Sequence, residues 1–297
     1  MWFLFTLLTF SCWGIADLFY KLGNKEKHSH LKTGIIVGFV MGIHAIIYLL
    51  VTKTNIEFLD LIKYLPISFF YISSMVIGYK GLQYLELSIS SPIQNTSGVI
   101  TSILLVIFFK KVLNLPTIIA FILIFIGILI LSLIEMKDNK KEREEYKKNN
   151  SKKKFISLII IFPLLYCLLD GIGTFLDGVY LDKLKLIDES TALVAYEFTF
   201  LIYGIISYIY LKVKKVDLNI FKEKYKISAA IFETAGQFFY VFAMSGNATI
   251  SCTVIGSYCI LSLLLSRIFL KEKLSIKEYI AITLVIIGIV ILSFLDL

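Results

Sequence analysis

Five acidic residues fall inside long apolar runs of this chain: Asp17, Asp170, Asp177, Glu197 and Glu233. A charged side chain near the bilayer centre costs roughly 2.5–3.5 kcal/mol on insertion scales, so an acid held there must face a cavity or a partner. Asp17 has Lys21 one turn further along the same face, and Asp177 stands at a predicted span end with Lys183 following, so both read as interfacial or ion-paired. Asp170, Glu197 and Glu233 have no basic residue within a turn and are the substrate-binding candidates. Around Glu233 the helical period aligns Gln237 and Tyr240, stacking an acid, an amide and a phenol on one face. Excess acid at this depth suits a cationic or zwitterionic substrate, or proton coupling through a carboxylate. An anion would require Lys or Arg at mid-depth, and Lys80, the nearest, lies about a turn from a span end, where it can snorkel.

Aromatic and polar side chains add to this set. Trp13, Tyr79 and Tyr240 can join Glu233 in a cage for an organic cation. Gln94 and Asn95 lie in an unusually polar stretch of the fourth span, and Tyr258 lies in the matching stretch of the ninth. Polar groups in hydrocarbon need partners, so both stretches are expected to face inward, along a substrate path. The competing role for the acids and these polar stretches is interhelical hydrogen bonding that only holds a bundle together. His44 in the second span reads as a packed, hydrogen-bonded side chain rather than a proton relay. No catalytic or metal-binding motif is found: there is no His-Glu-x-x-His, paired Cys-x-x-Cys, Gly-x-Ser-x-Gly or phosphate-binding glycine loop. Nothing in the sequence calls for a cofactor.

The elements that must position these residues are helices. With 58% hydrophobic residues and a mean hydropathy of +0.82, the chain is an integral membrane protein by composition. About 20 apolar residues cross a hydrocarbon core as a helix. Ten such stretches are predicted, near 2–22, 33–52, 64–83, 88–109, 115–135, 155–177, 189–211, 227–246, 248–269 and 275–295. The first reads as a span and not as a removed signal peptide. Cys12, Cys167, Cys252 and Cys259 all sit in apolar runs and read as small buried hydrophobes.

Two stretches are one helix pair written twice. Residues 88–132 lie without a gap over residues 249–293 at an offset of 161, with 16 of the 45 pairs identical. Ile126-Gly127-Ile128 falls on Ile287-Gly288-Ile289, and Lys110 falls on Lys271. The chain therefore divides into a first five-helix repeat (1–135), a charged cytoplasmic linker (136–154) and a second five-helix repeat (155–297). The linker carries nine Lys or Arg against four acids. Because five is odd, the second repeat must start from the opposite face of the membrane, which makes an inverted-topology repeat. The fold class is thus all-α, with ten transmembrane helices as two inverted five-helix repeats. Of the 30 Lys and Arg residues, 24 fall on the face holding the linker. By the positive-inside rule that face is cytoplasmic and both termini are extracytoplasmic. The net charge of +8 is accounted for by these loops and does not point to nucleic acid.

The paired turns Phe108-Phe109-Lys110-Lys111-Val112-Leu113 and Phe269-Leu270-Lys271-Glu272-Lys273-Leu274, each followed by a span ending in Ile-Gly-Ile, resemble the EamA-type members of the drug/metabolite transporter superfamily. Trp13-Gly14, Pro92 and the chain length fit the same resemblance. It implies a secondary transporter of small metabolites, with a central cavity lined mainly by spans 1, 3, 4, 6, 8 and 9. The expected function is alternating-access transport of an amino acid, amine or quaternary ammonium ion across the cell membrane. An anionic or sugar-type metabolite is the alternative, and a polytopic membrane enzyme the more distant one. Expected partners are the small-molecule substrate, the lipid bilayer and a proton or Na+ as coupling ion. Substrate identity, direction of transport and oligomeric state do not follow from the sequence.

Overall fold

The structure, a computed structural model, describes residues 1–23, 28–81, 87–110, 112–149, 161–270 and 274–294. Among these residues the chain forms ten α-helices and no strand. They are α1 (Trp2–Gly23), α2 (Ser29–Thr52), α3 (Phe58–Gly81), α4 (Leu87–Phe108), α5 (Leu115–Asn149), α6 (Ile161–Asp177), α7 (Glu189–Val213), α8 (Lys224–Ile255), α9 (Cys259–Leu270) and α10 (Ile276–Phe294). A helix satisfies its own backbone hydrogen bonds, which is the condition for an isolated segment to lie in lipid. Six helical segments are long and apolar enough to cross a membrane, among them Leu164–Lys183, which joins α6 to the π-helical turn Gly178–Lys183.

Three boundaries differ from the sequence expectation for physical reasons. The helix of α6 runs on through the π turn, so the apolar segment ends at Lys183 rather than at 177. α8 breaks at Asn247 (φ −159°, ψ 83°), and its continuation gives way to a turn at 256–258 before α9 begins. The predicted ninth span, 248–269, is therefore an interrupted helix. Side chains cap the new helix start: Asp182 Oδ2 accepts from Ala248 N (3.0 Å) and Asn247 Oδ1 from Ile250 N (3.4 Å). α5 continues to Asn149, through most of the charged segment that begins at 136; its Lys, Glu and Arg residues are good helix formers.

The packing is reciprocal between the two halves. A Cβ added at Gly127 would lie 2.4 Å from Val285 Cγ2 and 2.8 Å from Ala281 O; one at Gly288 would lie 2.6 Å from Ile124 Cγ1 and 2.9 Å from Ala120 O. Ala120, Ile124 and Gly127 are the residues that the 161-residue offset places on Ala281, Val285 and Gly288. As residue numbers fall along α5, the contacts rise along α10, so the two helices run antiparallel. α2 meets α7 the same way, with Gly38 against the backbone of Phe200 and Gly204. α5 and α10 also begin alike. Asn114 Oδ1 accepts from Thr117 N (3.0 Å), and at the offset position Ser275 Oγ accepts from Glu278 N (3.3 Å) while Glu278 Oε2 accepts from Ser275 N (2.5 Å). Between helices in lipid, close approach over glycine takes the place of hydrophobic burial as the source of association. Large apolar side chains such as Ile43, Ile46, Ile47 and Leu50 remain on the outer surface.

Candidate functional site

α1 packs against α8 and α3 against α6, and an open cavity lies between these pairs, about 840 Å³ of empty space with the solvent at its mouth counted. Three carboxylates line it: Asp17 from α1, Asp170 from α6 and Glu233 from α8. Six phenols, Tyr20, Tyr71, Tyr79, Tyr166, Tyr240 and Tyr258, surround them with the indole of Trp13. Among the described residues no Lys or Arg lines the cavity. Lys80 points elsewhere, with its Nζ 5.8 Å from the Phe162 ring centroid.

Glu233 is the best-connected acid of the cavity. Tyr71 donates to its Oε1 (2.9 Å) and Tyr20 to its Oε2 (3.5 Å), while Tyr79 donates to the Tyr20 hydroxyl (3.0 Å). Trp13 Nε1 donates to the Glu233 backbone carbonyl (3.4 Å). The indole centroid lies 5.2 Å from Tyr240, 6.1 Å from Tyr258 and 6.4 Å from Tyr71. Gly236 lets the indole sit there, because a Cβ at that position would lie 2.3 Å from Trp13 Cδ1. Asp170 accepts from Ser97 Oγ (2.6 Å), and Thr101 Oγ1 donates to the Gly171 carbonyl (3.0 Å), which ties α4 to α6. Chemically the wall offers carboxylates with π faces between them, and no Lys or Arg among its described lining residues.

Of the residues singled out from sequence, Trp13, Tyr79, Asp170, Glu233, Tyr240 and Tyr258 come together around this cavity. Gln237 does not line it; both of its amide atoms are buried without a hydrogen-bond partner among the described residues. Glu197 stands apart, paired with His44 Nδ1 at 2.7 Å. Gln94 and Asn95 are on α4, and their side chains lie outside the described residues.

Asp177 corrects the sequence reading. It is not paired with Lys183, whose Nζ meets Asp182 Oδ2 at 2.5 Å instead. Asp177 is fully buried and accepts three phenols: Tyr64 at Oδ1, and Tyr196 (2.5 Å) and Tyr240 (2.8 Å) at Oδ2. Both oxygens act as acceptors, which suits the ionised form. The π turn is the reason, since it carries the apolar segment six residues past Asp177. Asp17, read as interfacial or ion-paired, is among the residues that line the cavity. Neither outcome had a signal in the local sequence beyond an acid in an apolar run.

At the end of the bundle where α8 starts, Lys32 donates to Glu223 Oε1 (3.1 Å), and the buried Lys226 donates to Oε2. Burial alone pushes the Glu223 carboxyl up, but the hydrogen bonds from Lys226 and Lys32 outweigh it and hold the group below the ordinary carboxylate value.

A family model described as the EamA-like transporter family matches residues 1–133 and 157–294. The chain belongs to the EamA-like transporter family. As an EamA-like chain it is a multi-pass membrane protein of the drug/metabolite transporter type. No curated protein matches it. Twenty-eight solved chains do. One of them, a crystal structure described only as that of a protein, superposes with a TM-score of 0.71 at 10% identity, over 98% of this chain and 96% of that one. At that identity the likeness establishes the fold alone.

Proposed function

We propose that this protein is a secondary transporter that carries a small cationic or zwitterionic metabolite (an amino acid, an amine or a quaternary ammonium ion) across the plasma membrane by alternating access. The observation that carries the reading is the cavity, with Asp17, Asp170 and Glu233 in its wall, aromatic rings between them and no Lys or Arg among its described lining residues. The position of Lys80, over Phe162 and away from the cavity, favours this reading over an anionic substrate. Glu233, with Tyr71, Tyr20 and Trp13 around it, is the primary site for the positive group; Asp170 and Asp17 are the secondary carboxylates.

The antiparallel contacts of α2 with α7 and of α5 with α10 support ten spans arranged as two inverted repeats, since these are the helices that the duplication makes equivalent. The charge bias favours a cytoplasmic linker with both termini outside.

The test is ligand-dependent stabilisation of the purified protein against a panel of amino acids, primary amines, quaternary ammonium ions and sugar phosphates. Stabilisation by a positively charged class that disappears in Glu233→Gln and weakens in Asp170→Asn is expected. Stabilisation by the phosphates, or by cations equally in all three proteins, would refute the assignment.

A further inference from the structure

The pair formed by His44 and Glu197 is absent from the cavity and unused by the reading above. We infer that it is a proton-binding site in the α2–α7 interface, and that the packed arrangement of these helices is its proton-loaded form. The Glu197 side chain is fully buried. Its Oε1 lies 2.7 Å from His44 Nδ1, and its Oε2 is buried with no hydrogen-bond partner among the described residues.

Among the described residues the surroundings offer no other charge. On α2, Tyr48 stacks on the imidazole with centroids 6.2 Å apart and shares a 2.8 Å hydrogen bond with Ser190 of α7. From α8, Phe238 meets the imidazole edge-on at 6.1 Å. On α7, Tyr196 gives its hydroxyl to Asp177, and Thr199 gives its hydroxyl to Ser68 of α3 (3.1 Å). Among the described residues each member of the pair is the other's only ionic partner.

The charge balance follows. With one proton between them the two groups are neutral in sum, whether as imidazolium and carboxylate or as imidazole and acid. Without it, a carboxylate is left buried beside a neutral ring with one oxygen lacking any donor, a costly arrangement in a dry interface. The interface gives little room for water to compensate, because α2 approaches α7 over glycines: a Cβ at Gly38 would lie 2.3 Å from the Phe200 carbonyl oxygen, and one at Gly42 2.8 Å from Leu201 Cδ1. Loss of the proton therefore favours separation of α2 from α7, and its return favours closure. The His44 side chain is 34% exposed and stacks on Tyr48, whose hydroxyl is bonded to Ser190 near the end where α2 finishes and α7 begins. α8, which holds Phe238 against His44, also carries Glu233 and Tyr240 in the cavity wall, so the site is placed to couple proton loading to substrate movement. That consequence rests on the transporter reading; proton binding itself does not.

The test uses the full chain in lipid nanodiscs with isotope-labelled histidine. The chain has three histidines, His28, His30 and His44, and the His44 ring signal is assigned by its loss in His44→Gln. In Glu197→Gln the His44 titration midpoint is expected to move by about one pH unit or more, the scale of a neighbouring charge, with His28 and His30 unmoved. An unchanged midpoint would overturn the proposal. Should that variant fold poorly, infrared spectra of the wild-type chain decide: a carboxyl band titrating together with His44 is expected, and the absence of any such band contradicts the site. Neither measurement involves a substrate, so failure here is distinct from failure of the transport assignment.

Discussion

The Asp177 cluster allows a prediction with a worked magnitude. Three phenols from three helices, Tyr64 of α3, Tyr196 of α7 and Tyr240 of α8, donate to the two oxygens of one buried carboxylate. A hydrogen bond to a charged group contributes about 1.5–3 kcal/mol net and one between neutral groups about half that. Asp177→Asn keeps one oxygen and replaces the other with an NH2 group, so at least one phenol loses its acceptor while the rest fall to neutral strength. The expected cost is about 3 kcal/mol. Tyr240→Phe removes one donor, at about 1.5 kcal/mol. Because the two changes share one hydrogen bond, the double variant should lose about 1 kcal/mol less than the sum. Reversible denaturation in mixed micelles, followed by intrinsic fluorescence, measures all four corners of the cycle. Strict additivity, or an Asp177→Asn variant as stable as wild type, would refute the view of Asp177 as the shared acceptor. A Lys183→Ala variant that matched Asp177→Asn would restore the ion-pair reading.

Further predictions concern packing and pH. In Gly98→Ala the new Cβ would lie 2.2 Å from the Cys252 carbonyl oxygen, a backbone atom, so thermal melting should show a loss at or above the roughly 1–3 kcal/mol typical of overpacking. Gly236→Ala meets the Trp13 indole, with the new Cβ 2.3 Å from Cδ1, so the ring must shift; it should weaken ligand-induced stabilisation several-fold and lower the melting of the empty protein less than Gly98→Ala does. Glu223, held below the ordinary carboxylate value, contributes stability that is fully present above about pH 4.3 and lost as pH falls through its lowered value. Acid melting curves of Glu223→Gln should accordingly lose part of the low-pH decline seen in the wild type, and identical curves would contradict the Lys32–Glu223–Lys226 linkage.

Repetition was legible in the sequence because both copies keep the residues that touch. Gly127 and Gly288, with Ala120 and Ala281, appear in each half since each half needs a small residue at the same crossing. That Glu233, Asp170 and several aromatic rings share one cavity was legible, because an acid in hydrocarbon has few alternatives to a cavity or a partner. What stayed hidden was set by distant partners. Lys183 follows Asp177 at what reads as a span end, which suggests an ion pair, but the π turn and three phenols from other helices decide otherwise. Glu197 resembles Glu233 in local sequence and is separated from the cavity only by which helix lies across from it. Gln237 shares a face with Glu233 by period, one turn on, yet its amide is buried outside the cavity lining, which the period alone does not reveal.

The most direct test is uptake by proteoliposomes of the positively charged compounds that stabilise the purified protein, measured for wild type and Glu233→Gln at equal reconstitution. Saturable uptake that falls tenfold or more in the variant is expected, with sugar phosphates not carried by either protein. Cation uptake at the same rate in Glu233→Gln, or carriage of the phosphates in preference, would contradict a carboxylate-walled cavity as the transport site.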